Sequence, residues 1–214
     1  MSCKTLAAGA ALVAALVAPA LAADDHSKHQ QHAAAADAKP STVKVRYDES
    51  VLTDQHGKTH KLRSDVIGDR IVVVDFIYTT CTTVCPVLSA AMAQVQGSLD
   101  AKAMEEVRLV TITVDPARDT PARMKEYGDR YGAKPGWVWL TGPTGRVNEV
   151  LKGFGAYATS FEDHPPLVLV GDARSGNWIR FFGFTDPKLV VAKVQELRAE
   201  RAKGAHAGHG THKH

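Results

Sequence analysis

Cys81 and Cys85 lie four positions apart in the run Thr79-Thr80-Cys81-Thr82-Thr83-Val84-Cys85-Pro86, and no other pair in this chain is better equipped for chemistry. As thiolates they attack disulfides and bind soft metal ions. The apolar run Ile71–Tyr78 comes immediately before them and predicts a buried central strand. Pro86 predicts the first residue of a helix, where its missing N–H is not needed and its φ is already helical. A proline also pushes its predecessor out of the helical region, which makes Cys85 the expected N-cap. Both thiols thus fall where a core strand passes into a helix N-terminus. The free N–H groups and dipole of such a terminus lower a thiol pKa.

The spacing leaves two chemistries open. Two sulfurs on such a loop can share one metal ion, or close a disulfide if their Cβ atoms approach to about 3.5–4.5 Å. Dithiol exchange motifs of the Cys-x-x-Cys type place two residues between the thiols, and the third one here favours metal. A metal needs at least one more donor. Of the ten histidines, seven lie in the terminal segments, which leaves His56, His60 and His164. His56 and His60 fall on an N-terminal hairpin, His60 in a strand where it can face solvent. His164 lies in Phe161-Glu162-Asp163-His164-Pro165-Pro166, just before the apolar run 167–170. Its position fits a ligand and a surface loop histidine equally. A Cys, Cys, His set points to copper before zinc, because structural zinc usually takes a fourth protein ligand.

The elements that must position these groups alternate. Val43 and Val45, a turn at Asp54–Gly57 and the return Thr59–Leu62 predict an edge β-hairpin. After the strand at 71–77 comes a helix over about 86–99 with Val87, Leu88, Ala91 and Val95 on one face. Val107–Val114 is a second buried strand, stopped by Asp115-Pro116. Thr120 caps a helix that has Pro121 at its first position and Met124 and Tyr127 facing inward. Trp137–Leu140 is a short strand, and a helix follows from about Gly145 to Gly155. Leu167–Val170 and Asn177–Phe182 form a hairpin across Arg174–Gly176, and a last helix opens at Asp186-Pro187 with Val190, Val194 and Leu197 as its stripe. This order predicts an α/β thioredoxin-like fold with an added N-terminal β-hairpin. In such a sheet the loop entering 167–170 faces the cysteine loop.

Four segments are expected: a signal peptide at 1–22, a His-containing disordered linker at 23–40, the folded domain at 41–203 and a His-rich tail at 204–214. Lys4, the apolar stretch Leu6–Val17 and the small-x-small site ending at Ala22 are the three regions of a secretory leader. A retained anchor is the alternative, although the stretch is short for a span of about 20 residues. Cys3 would leave with the leader, so a structural disulfide framework is excluded. The expected location is the periplasm. The 26 basic and 23 acidic residues are interspersed, which gives no footprint for nucleic acid.

The strand ending Asp-Phe-Ile-Tyr-Thr-Thr-Cys81-Thr-Thr-Val-Cys85-Pro, the later Thr-Val-Asp115-Pro-Ala-Arg-Asp119-Thr-Pro, and Asp163-His164 together resemble the Sco/SenC family over about residues 42–200. The resemblance implies a thioredoxin-like copper metallochaperone that helps assemble the binuclear copper centre of cytochrome c oxidase. It implies copper ligands at Cys81, Cys85 and His164. Its partners would be the copper-receiving oxidase subunit and a periplasmic copper donor or thiol reductant. Pro165-Pro166 departs from the family pattern by stiffening the segment after the histidine, and the sequence leaves the isomer of those X–Pro bonds open.

Other residues have plainer readings. Asp115 and Asp119, each beside a proline or at an element boundary, suit turn and capping roles. Asp75 lies inside the core strand and needs a partner, expected to be a basic neighbour. Trp137, Trp139 and Trp178 are read as core packing. The histidines at 26, 29 and 32 and at 206, 209, 212 and 214 can capture metal ions from flexible chain. Three functions remain: copper delivery, thiol–disulfide exchange by the redox pair Cys81 and Cys85, and copper buffering by the tails.

Overall fold

The computed structural model describes residues 39–207, and the apolar run before the cysteines lies at its centre. The strands are β1 (Ser41–Val43), β2 (Val51–Asp54), β3 (Thr59–Lys61), β4 (Ile71–Ile77), β5 (Val107–Thr113), β6 (Trp137–Thr141), β7 (Leu167–Asp172) and β8 (Asn177–Phe182). The helices are α1 (Val84–Ser98), α2 (Ala101–Glu106), α3 (Pro121–Arg130), α4 (Thr144–Phe154) and α5 (Pro187–Ala207). One eight-stranded sheet runs in the order β1-β8-β7-β4-β5-β6-β2-β3.

β4 pairs parallel with β5 and antiparallel with β7, and both of its faces are covered, so all seven of its residues are buried. That is why it reads as a continuous apolar run rather than an alternation. Val73 and Ile77 face a core built with Leu88, Met92, Met124, Tyr127, Val190 and Val194 from α1, α3 and α5. Val72, Val74 and Phe76 face the other core, where Val150, Leu151 and Phe154 of α4 close the layer. Trp137, Trp139 and Trp178 are all buried, as packing residues should be. Trp178 lies so close over Gly171 that a Cβ there would stand 2.2 Å from its ring.

The thioredoxin-like α/β reading holds, and four details change. Val43 belongs to β1, which pairs with β8 at one edge, while the β2–β3 hairpin lies at the other edge against β6. Alternation marks a half-buried strand but does not choose its partner. In α1 the buried stripe includes Leu88, Met92 and Val95, and Val87 is exposed. The helix starts at Val84, so Thr83 is the N-cap, Cys85 is helical and Pro86 sits one residue further in. A proline in the first turn loses no intrahelical bond, which makes all three positions open to it. α5 continues through Ala207, past the expected boundary at 203. The leader, most of the linker and His209, His212 and His214 lie outside the described residues.

Candidate metal and redox site

The cysteine loop is a tight turn stitched to a helix end. β4 stops at Ile77, and the Cys81 N–H donates to the Tyr78 carbonyl at 3.2 Å. Thr83 makes no side-chain cap. The Cys81 sulfur takes over that role by accepting the Cys85 N–H at 3.3 Å. A helix start leaves unpaired N–H groups, and a thiolate is a good acceptor for them.

This geometry splits the two thiols. Burial alone would raise the Cys81 pKa. Hydrogen bonds from the Cys85 thiol, the Cys85 and Thr83 backbone N–H groups and the Tyr78 phenol outweigh it and bring Cys81 down to about 7. Cys85 goes the other way, pushed well above the ordinary thiol value by burial and then by the hydrogen bond it donates to Cys81. Both are free cysteines. The arrangement is one thiol of lowered pKa that accepts a hydrogen bond from a partner of raised pKa. Cys81 keeps 7% of its surface exposed and Cys85 none, so an incoming group meets Cys81 first.

His164 follows a 3₁₀ turn at Phe161–Asp163 and is buried. Its Nδ1 lies 2.8 Å from the Phe161 carbonyl and its Nε2 lies 3.2 Å from the Phe76 carbonyl. In a neutral imidazole, which has one N–H, one of these two contacts would be a donated bond. Donation through one ring nitrogen to a backbone carbonyl, with the other on the ion, is the usual arrangement of a metal-binding histidine. Cys81 and His164 line the same cavity of about 150 Å³, with Tyr78, Glu162 and Phe184 among its walls. The Tyr78 ring stands edge-on to His164 at 5.9 Å and to Phe161 at 5.0 Å. The expected facing of the two loops is therefore present. Among the described residues, though, no three Cys, His, Asp or Glu side chains converge closely enough to grip an ion as they stand. The donor set of two thiols and an imidazole fits a soft ion.

His56 and His60 do not join the site. His60 is half-buried rather than solvent-facing, with Nε2 2.8 Å from Asp54 Oδ2. Among the described residues Asp75 has no basic neighbour, contrary to expectation. Its Oδ1 accepts from the Thr111 hydroxyl at 2.5 Å, that hydroxyl accepts from Trp137 Nε1 at 2.8 Å, and Oδ2 is buried without a hydrogen-bond partner. Burial pushes its carboxyl up to about 7, against the pull of the Thr111 hydroxyl.

Asp119 is not a helix cap either; the Thr120 hydroxyl fills that role. The Asp119 carboxylate, fully buried, accepts from both the N–H and the hydroxyl of Thr79 and from the Thr113 hydroxyl. Sequence reasoning missed Tyr78 and Asp119. Tyr78 carried a signal, since it directly follows the core strand. Asp119 sits beside a threonine and a proline, which is what a cap looks like.

A sequence description of the SCO1/SenC family matches residues 38–196. The SCO1 protein homolog of Bacillus subtilis is 34% identical over 118 residues, covering 54% of this chain and 60% of that protein. Protein SenC of Rhodobacter capsulatus is 32% identical over 128 residues, covering 58% and 54%. The chain thus spans little more than half the length of these relatives. Among solved structures, Bradyrhizobium japonicum ScoI with copper bound is 27% identical with a TM-score of 0.55, covering 71% of this chain and 99% of that one. BsSco, described as a member of the Sco family of cytochrome c oxidase assembly proteins, is 25% identical with a TM-score of 0.60, covering 73% and 95%.

Proposed function

Because this chain belongs to the SCO1/SenC family, we propose that it binds copper through Cys81, Cys85 and His164 and delivers it to the binuclear copper centre of a cytochrome c oxidase subunit. The observation that carries the reading is the shared cavity lined by Cys81 and His164, with the Cys85 N–H bonded to the Cys81 sulfur. The solved ScoI relative with copper bound supports the choice of metal. So does the donor chemistry, since two thiolates favour a soft ion and the imidazole admits the oxidised one.

Each donor has a distinct task. Cys81 is ionised at little cost near neutral pH and makes the first contact. Cys85 must give up its proton when the ion arrives, so loading releases acid and weakens as pH falls. His164 completes the set by leaving the Phe76 carbonyl, and the Phe161 carbonyl keeps a hold on the other ring nitrogen. The leader at 1–22 would place this exchange in the periplasm, and the histidines of the two tails would supply weaker, less selective capture.

A second reading has its own observation, the split thiol pair. A Cys81 thiolate can attack a target disulfide and release one target thiolate. Cys85, once deprotonated, then displaces the other, leaving the target reduced and Cys81–Cys85 oxidised. One experiment separates the two. The reduced protein, offered equal copper and zinc, should retain one copper per chain with a sulfur-to-copper absorption for Cu(II), and His164→Ala should lose Cu(II) more than Cu(I). Normal Cu(II) affinity and oxidase assembly in His164→Ala would transfer the lead to thiol exchange.

A further inference from the structure

The segment from Asp115 to Asp119 is not a donor, yet two of its residues, Asp119 and Arg118, reach opposite halves of the site. On the cysteine side, Asp119 Oδ2 accepts the Thr79 N–H at 3.1 Å and Oδ1 accepts the Thr79 hydroxyl at 2.5 Å. Oδ2 also accepts the Thr113 hydroxyl at 2.5 Å. Thr79 is two residues before Cys81, on the same turn that the Tyr78 carbonyl closes, so this clamp holds the backbone from which Cys81 projects.

On the histidine side, Arg118 donates to Asp115 Oδ2 at 2.8 Å, and its guanidinium lies 4.8 Å over the Phe161 ring. The Phe161 carbonyl is the 2.8 Å partner of His164 Nδ1. The Phe161 ring also meets Tyr78, which joins the two halves. A turn or cap needs one carboxylate oxygen at most. Asp119 uses both, on donors from two other strands' ends, and a buried carboxylate saturated in this way pins what it touches.

We infer that the Asp115–Asp119 segment is a positioning loop that sets the cysteine and histidine loops against each other, with Asp119 acting on the first and Arg118 on the second. What the site holds rests on the copper reading; the division of labour does not.

The test uses the full chain and two readouts: the Cys81/Cys85 thiol–disulfide equilibrium against glutathione, and Cu(II) affinity by competition. Thr79→Val removes the clamped hydroxyl at nearly constant volume and should shift the thiol equilibrium about tenfold, near 30 mV, with Thr79→Ser restoring it to within about twofold. Arg118→Gln should leave that equilibrium within about twofold and weaken Cu(II) by about tenfold, as loss of an outer-shell partner does. Parent-like values for both variants overturn the inference, and so does an Arg118→Gln that moves the thiols as Thr79→Val does. If Thr79→Val fails to fold, Asp119→Asn is read in the same assays under the same criteria. A parent chain that takes up no copper removes the copper reading, while the thiol readout still decides the cysteine half.

Discussion

The two ends of the central sheet hold their buried carboxylates by opposite means. At the end where β4 begins, Asp172 is opposite Ile71 and is gripped by Arg201, with Nη2–Oδ1 at 2.5 Å and Nε–Oδ2 at 3.1 Å. Burial alone would raise the Asp172 pKa, but the Arg201 hydrogen bonds and charge bring it below the ordinary value. That pair ties α5 to the sheet. Toward the end where β4 stops, Asp75 and Asp119 are held by hydroxyls and an N–H, and among the described residues no Lys or Arg lines the cavity of Cys81 and His164. One end is neutralised and locked by a cation. At the other, burial raises both carboxyls above their ordinary value.

The contrast can be broken from either side. Replacing both Cys81 and Cys85 by Ser should abolish tight copper uptake and leave the fold's cooperative melting intact; copper titration and thermal unfolding of the same sample decide it. Full uptake with unchanged absorption would place the site elsewhere.

Arg201→Met attacks the locked end. It leaves the Asp172 charge buried and unpaired, and should cost about 3 kcal/mol of unfolding free energy in urea. In the parent, the depressed Asp172 pKa contributes stability that is present above the unfolded carboxyl value and lost as pH falls through the folded one. The variant should therefore show a shallower loss toward acid, with copper affinity unaltered in the folded state.

Asp75→Asn sharpens the contrast at the other end. Its folded pKa of about 7 exceeds the ordinary value of 3.8, so the native state binds the extra proton between them and stability falls as pH rises through that window. The substitution should stabilise at pH 8 by up to about 4 kcal/mol, at about 1.4 kcal/mol for each of roughly three pH units. At pH 4 it should do almost nothing. Equal effects at both values would mean that the carboxyl does not titrate there. The smallest change belongs to neither end: Glu126→Gln breaks the exposed pair with Arg130 on α3 and should alter the melting free energy by less than about 0.5 kcal/mol.

How much of this was legible before folding depends on the range of the interaction. β4 declared itself because a strand covered on both faces needs seven apolar-compatible positions in a row, and α3 because Thr120 and Pro121 mark a helix start locally. Cys81 and Cys85 stood out by spacing alone. The partner of β1 was not legible, since Val43 carries the same alternation whether it pairs with β3 or β8. Nor was the role of Asp119, whose donors on Thr79 lie 40 residues away.

The amino-acid sequence by itself determined the α/β class, the strand-to-helix seat of the two thiols and the three candidate donors, because each of these follows from period, capping or residue type within a few positions. The tertiary structure alone decided which thiol has its pKa lowered and which raised, that His164 shares a cavity with Cys81, and that among the described residues Asp75 lacks a cation while Asp172 has one. Those properties depend on desolvation and on hydrogen bonds between distant segments, and neither exists until the sheet has closed around them.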